Sequence, residues 1–237
     1  MKTKFIATNN VRSLYKLADT LNSKSDNTPG LGLCYGQPGL GKTEGAIRLA
    51  VTRDYIYMRA KTAWTVLWFL QDLLRELEEQ EIGVTKKAYD RVKEVLLKRP
   101  RLILIDEVDH MLHDGRVIET CRDLHDETGN PFLLIGMQDA ERKLKRYPHL
   151  YDRFADVVRV EPVQADEIMR IADELCEVPI SEAAAKEVFK RTNGTFRKII
   201  TILNRAEQFA RQNSLEQITP RLLSNGSARN KPKRRTS

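Results

Sequence analysis

Eight residues, Gly36-Gln37-Pro38-Gly39-Leu40-Gly41-Lys42-Thr43, constrain this chain more than any other stretch. They fit the spacing G-x-x-x-x-G-K-[S/T], which carries chemistry only when a strand leads into it and a helix leaves it. Both flanks are present. Leu31–Tyr35 is a short apolar run bounded by glycine, and helical periodicity begins at about Lys42. Glycines let the backbone curl so that successive N–H groups face inward, and the following helix adds its positive N-terminal end. The loop is therefore a phosphate cradle in an α/β domain. Lys42 is the residue to reach the β- and γ-phosphates of ATP, and the Thr43 hydroxyl the one to ligate Mg²⁺.

The rest of the 237 residues is read outward from that loop. Val11, Leu14, Leu17, Ala18 and Leu21 repeat at helical spacing over 10–22. Tyr55–Met58, Leu102–Ile105, Phe132–Ile135 and Val157–Val160 read as further strands, with helices over Ala63–Glu79, Lys86–Lys98 and 115–127. Strands alternating with helices imply a parallel sheet. From about Gln164 only helical patterns remain. The expected domains are an N-terminal helix and loop (1–30), an α/β ATPase core (31–163), a small all-helical lid (164–223) and a disordered basic tail (224–237).

The formal charge is +7, and the last thirteen residues hold five basic side chains and no acid, which leaves +2 on the remainder. The tail thus gives reason to expect an anionic partner, while the body needs its own evidence. Cys34, Cys121 and Cys176 lack metal-ligand spacing and read as buried, reduced thiols. No apolar run approaches the ~20 residues of a membrane span, so a cytoplasmic protein without a membrane partner is expected.

A second motif, Leu102-Ile-Leu-Ile-Asp106-Glu107, ends a buried strand on two carboxylates. In open α/β sheets ligands sit at that edge. Asp106 is placed to hold Mg²⁺ through water, and Glu107 to act as general base on the attacking water. Hydrolysis also needs positive charge beyond Lys42. Arg197, in Gly194-Thr-Phe-Arg197, and Arg153, just before the last strand, are the leading sources, with Arg142 and Arg146 behind them. Taken singly, any of these arginines reads as a surface charge.

An α/β core with both motifs, followed by a helical domain containing Gly-x-x-Arg, resembles the AAA+ P-loop ATPases over about 10–223. The phrases Gly36-Gln-Pro-Gly-Leu-Gly-Lys-Thr-Glu44 and Asp106-Glu-Val-Asp109-His110 are similar to those of the DNA-transposition branch, which includes the phage Mu B, TnsC and IstB helper ATPases. The resemblance implies an ATPase that is slow by itself and stimulated by DNA or transposase. It implies homo-oligomeric rings or helical filaments on double-stranded DNA, target selection, and recruitment of a cognate transposase. It casts Arg197 as the lid's sensor arginine and Arg153 as an arginine finger offered to a neighbouring subunit's ATP. It adds Glu44 to the nucleotide loop. It also expects a polar sensor after Gly136, where Met137 stands and Gln138 follows. Only about thirty residues precede the phosphate-loop strand, so an N-terminal DNA-binding helical domain like that of the phage Mu protein is not expected, and the tail with Lys233, Arg234 and Arg235 is expected to supply DNA affinity instead. Two other classes share the motifs: helicase loaders of replication, and ExeA-type secretion-associated ATPases.

Within the body, the expected DNA-backbone contacts are Arg59, Lys61 and Thr62, and the helix residues Lys86, Lys87 and Arg91. Such contacts give salt-dependent, sequence-independent binding. The bland alternative is a solvated, internally paired helix face. Trp64 and Trp68, four apart on an apolar face, read as core rather than as a base-stacking platform.

Overall fold

The computed structural model describes residues 1–2, 4–23 and 29–223; the tail contacts Lys233, Arg234 and Arg235 lie outside that range. The chain divides into two compact units. The α/β unit holds Asn10–Pro38 and Lys42–Val160. The helical unit holds Met1–Asn9, Gly39–Gly41 and 161–223 of the described chain. The N-terminal stretch is therefore shared out between the two units, and does not form a segment of its own.

The α/β unit runs α1 (Asn9–Asn22), β1 (Leu31–Tyr35), α2 (Lys42–Arg53), β2 (Ile56–Arg59), α3 (Val66–Glu76), α4 (Thr85–Lys98), β3 (Ile103–Asp106), a single 3₁₀ turn (Val108–His110), α5 (Arg116–Thr128), β4 (Phe132–Gly136), α6 (Ala140–Leu144), α7 (Pro148–Tyr151) and β5 (Phe154–Arg159). The five strands form one sheet in the order β2-β3-β4-β1-β5, every pairing parallel. Strands covered on both faces read as unbroken apolar runs. Accordingly every residue of β3 and β4 is buried, whereas the edge strand β5 is only half-buried. Register brings Tyr35 beside Gly136, Ile105 beside Leu134 and Arg59 beside Asp106. The residues that follow β1, β3 and β4 therefore all leave the sheet at one edge.

Strands β2 and β3 are shifted by one residue, β4 runs one residue further and α4 begins one residue earlier than read from the sequence, and two boundaries differ by more. The last strand spans Phe154–Arg159, not Val157–Val160, because its pairing with β1 begins at Leu31–Phe154 and continues past an irregularity. The third helix is shorter than Ala63–Glu79. The Thr65 side chain caps it by accepting from the Trp68 N–H at 3.2 Å, and Glu78 adopts a left-handed φ of 61° beyond its end. Trp64 is buried, edge-on to Phe69 with ring centroids 5.4 Å apart, but Trp68 is 39% exposed and only Trp64 belongs to the core.

Phe132, at the start of β4, is fully buried in the α/β core. Truncation there leaves a cavity that a parallel central strand cannot close. Phe132→Ala is expected to cost about 3–5 kcal/mol, read as a lowered urea midpoint at unchanged slope.

The helical unit contains α8 (Ala165–Leu175), α9 (Glu182–Thr192) and α10 (Phe196–Gln212). Ile168, Ile171, Val188, Ile199 and Leu203 fill its core. The N-terminus is tied in by an ion pair between the Met1 ammonium and buried Glu207, and the Asn9 N–H donates to Glu167 at 2.6 Å.

Candidate functional site

The site begins where β1 ends. Gly36 is required by crowding: a Cβ there would stand 2.6 Å from the Val160 side chain and 2.7 Å from its carbonyl oxygen. Gly41 is required by conformation, with φ of 91° in the left-handed half where side chains are strained. Gln37, Pro38, Gly39 and Leu40 complete the turn, and Lys42 opens α2. The Lys42 ammonium donates to the Gly36 and Gln37 carbonyls, both at 2.8 Å. Burial lowers its pKa, and the nearby carboxylates of Asp106 and Asp109 pull in the other direction. A partly desolvated ammonium held by its own loop is a cation available to an incoming phosphate. Thr43 and Glu44 stand in the first turn of α2, with Glu44 exposed.

Asp106 ends β3 and is buried. One carboxylate oxygen accepts the Glu107 N–H at 2.8 Å, the other the Tyr57 hydroxyl at 3.0 Å. Burial and the Asp106 charge together push the Tyr57 phenol well above its ordinary range. Tyr57 therefore stays a donor and fixes the carboxylate's orientation. Among the described residues no three His, Cys, Asp or Glu side chains gather as a metal cage. Mg²⁺ needs none, since it is held by one or two protein oxygens together with phosphate and water. Thr43 and Asp106 fit that donor set.

Glu107 has a left-handed φ of 54°, a conformation that is costly for a residue with a side chain. Its carboxylate is ion-paired with Arg59, and His110 Nε2 lies 3.6 Å away. The Arg59 hydrogen bond holds the Glu107 carboxyl below its ordinary pKa. Arg59, expected from sequence to face DNA, is thus engaged on the candidate base.

The sensor position holds no polar side chain. Met137 is 44% exposed, and its backbone N–H donates to Asp109, which is also 3.4 Å from the Lys143 ammonium. Gln138 lies exposed in the turn after β4. Sequence reasoning assigns no role to Asp109, Tyr57 or Lys143, although Asp109 does stand inside the Asp-Glu-x-Asp-His phrase.

Arg153 is exposed between α7 and β5, and Arg197 is exposed in the first turn of α10, its N–H donating to the Gly39 carbonyl at 3.1 Å within the helical unit. Of the other basic residues, Lys61 is paired with Asp72 at 2.6 Å and lies over the Trp68 ring, and Thr62 contacts His110 at 3.1 Å. Arg91 is held by Glu79 and Glu94, both at 2.8 Å, while Lys86 and Lys87 are exposed at the start of α4.

Comparison with known proteins decides the family. The family model described as an AAA domain matches residues 25–144, half of the chain. The chain belongs to the AAA domain family. The matched stretch of this AAA protein includes the phosphate loop, Asp106, Glu107 and Met137, and stops short of Arg153 and Arg197. A potential ATP-binding protein of Staphylococcus aureus is 26% identical over 229 residues, covering 80% of this chain and 84% of its own. The ATP-dependent target DNA activator B of Escherichia phage D108 is 26% identical over 180 residues, covering 72% of this chain; the AAA protein spans about half, 55%, of that relative. Among solved structures, the ORC2 protein of Aeropyrum pernix aligns with a TM-score of 0.68 at 16% identity, over 95% of this chain and 68% of its own. Cdc6p of Pyrobaculum aerophilum aligns with a TM-score of 0.66 at 20% identity, over the same shares. These likenesses establish the fold: an α/β P-loop NTPase with a five-stranded parallel sheet. No described helix is long and apolar enough to cross a membrane.

Proposed function

We propose that this AAA protein binds and hydrolyses ATP, assembles on duplex DNA without sequence preference, and delivers that DNA to a transposase. The observation that carries the reading is the convergence, at one sheet edge, of the Lys42 ammonium, the buried Asp106 carboxylate and the strained Glu107. Lys42 neutralises phosphate charge, Thr43 and Asp106 hold Mg²⁺, and Glu107 accepts the proton of the attacking water. The similarity to a phage target DNA activator favours transposition over helicase loading and secretion.

The site within one α/β unit brings Lys42 as its cation, and arginine in AAA proteins completes the transition-state charge. We assign that role to Arg153, offered across a subunit interface, and nucleotide sensing to Arg197. A site completed between two copies makes ATP the cement of a head-to-tail assembly. Arg59 and Lys61 are held by acids, so the exposed Lys86 and Lys87 are the body's leading phosphate contacts.

Negative-stain microscopy with Mg-ATP and duplex DNA at low salt tests the scheme. Filaments or rings that need both ATP and DNA are expected. Their absence removes the reading, and stable binding to a hexameric helicase in their place supports the loader alternative.

A further inference from the structure

One carboxylate outside the nucleotide site joins three elements. Glu141, on α6, accepts from the Tyr35 hydroxyl, and Tyr35 is the last residue of β1, directly before Gly36. Its other oxygen accepts from the Tyr151 hydroxyl at 2.8 Å and from the Lys145 ammonium at 2.7 Å. Lys145 also lies 5.2 Å from the centre of the Tyr151 ring. An i,i+4 pair such as Glu141–Lys145 is worth little by itself. The two tyrosines change its meaning, because Tyr35 is 106 residues away in sequence and Tyr151 comes from a different helix. Lys145 first, then Tyr35 and Tyr151, hold the Glu141 carboxyl down at about 2, so the acceptor is ionised at any working pH.

Tyr151 stands two residues before Arg153. Its ring packs on Phe154, the residue after Arg153, with centroids 6.0 Å apart, and the Arg153 N–H donates to the carbonyl of buried Leu150 at 3.0 Å. The backbone that bears Arg153 is therefore pinned on both sides, and one pin runs through Glu141 to the strand that carries the phosphate loop. A catalytic cation carried on a loop needs such support, since a displacement of ~1 Å costs on the order of 10²-fold in rate.

We propose that Glu141 is a positioning residue for Arg153: it locks the arginine's loop to the end of β1, so that each copy presents its finger in a fixed place to the next copy's nucleotide. The assignment rests on the shared-site reading above. Glu141 touches neither the nucleotide loop's own donors nor the Mg²⁺ ligands; its effect is exerted on the neighbour.

That direction is testable by mixing variants. Glu141→Ala and Tyr151→Phe, the latter keeping the ring and losing only the hydroxyl, are each assayed for turnover in the assembled state and for ATP affinity as unassembled protein. Turnover is expected to fall about tenfold or more for Glu141→Ala and a few-fold for Tyr151→Phe, with ATP affinity unchanged. Each is then mixed 1:1 with Glu107→Gln, whose own site is inactive but whose finger is intact. Random neighbours should return the rate per Glu141→Ala subunit to about half of wild type, and Tyr151→Phe should recover likewise. Arg153→Ala mixed with Glu107→Gln is the reference. If Arg153→Ala recovers and the other two do not, or if their ATP affinity falls as far as their turnover, Glu141 serves its own site and the assignment is wrong. If Arg153→Ala itself does not recover, the shared site is wrong and this assignment falls with it.

Discussion

Lys42→Ala is expected to weaken ATP binding by about 10²–10³-fold, because a charge-assisted hydrogen bond in a partly desolvated site is worth about 3–4 kcal/mol. The geometry shows where the loss arises. The Lys42 ammonium stands 2.8 Å from two carbonyls of its own loop, already stripped of much of its water, and the Asp106 and Asp109 carboxylates nearby favour its charged form. Removing it takes away the cation that the loop holds on its own Gly36 and Gln37 carbonyls. Assembly should fail in parallel, since ATP is proposed to join neighbouring copies. Titration with a fluorescent ATP analogue measures the first effect and light scattering with duplex DNA the second. Lys42→Met, which keeps the aliphatic stem, separates charge from packing. An affinity within about threefold of wild type would show that the loop does not hold nucleotide through this residue.

The features legible in the sequence share one property: they are local. Leu102–Ile105 reads as a central parallel strand and Phe132–Ile135 as the next strand because burial on both faces leaves no polar position to interrupt them, and the phosphate loop carries its own flanks. What escapes depends on register between parallel strands, which period alone does not specify. Arg59 stands beside Asp106 across the β2–β3 pairing, and that register sets its guanidinium on Glu107, 48 residues away. Tyr57, on the same strand, reaches Asp106 for the same reason. Basic residues read singly mislead in the same way. Lys61 and Arg91 promise DNA contacts as bare charges, but Asp72 and Glu79 hold them; for Arg91 this is the internally paired alternative already open in the sequence, whereas the Lys61–Asp72 pair emerges only with the fold. The start of the edge strand β5 lies three residues earlier than its apolar pattern suggests, because a half-buried edge carries a weak apolar signal.

Glu107→Gln is expected to lower ATP turnover by about 10²–10⁴-fold while leaving ATP affinity nearly unchanged, the range general-base catalysis supplies. The substitution keeps the side chain's size and its capacity to accept a hydrogen bond, and removes its negative charge together with its ability to take a proton. Arg59 sharpens the expectation. By holding the Glu107 carboxyl below its ordinary pKa, it keeps the group ionised well below neutral pH. Protonation therefore does not limit the base near pH 7. The guanidinium engages one Glu107 oxygen, and the other keeps its lone pairs for water. Arg59 is itself largely exposed, and the left-handed Glu107 backbone helps set the position of the carboxylate. In the Gln variant the guanidinium loses its ion pair as well as the base its proton affinity. The DNA-bound, ATP-filled assembly should consequently accumulate, seen as slowed dissociation from duplex DNA after ATP is chased with ADP. Turnover unchanged from wild type would exclude Glu107 as the base; slow turnover with fast release would separate hydrolysis from disassembly and overturn the view of ATP as the bond between copies.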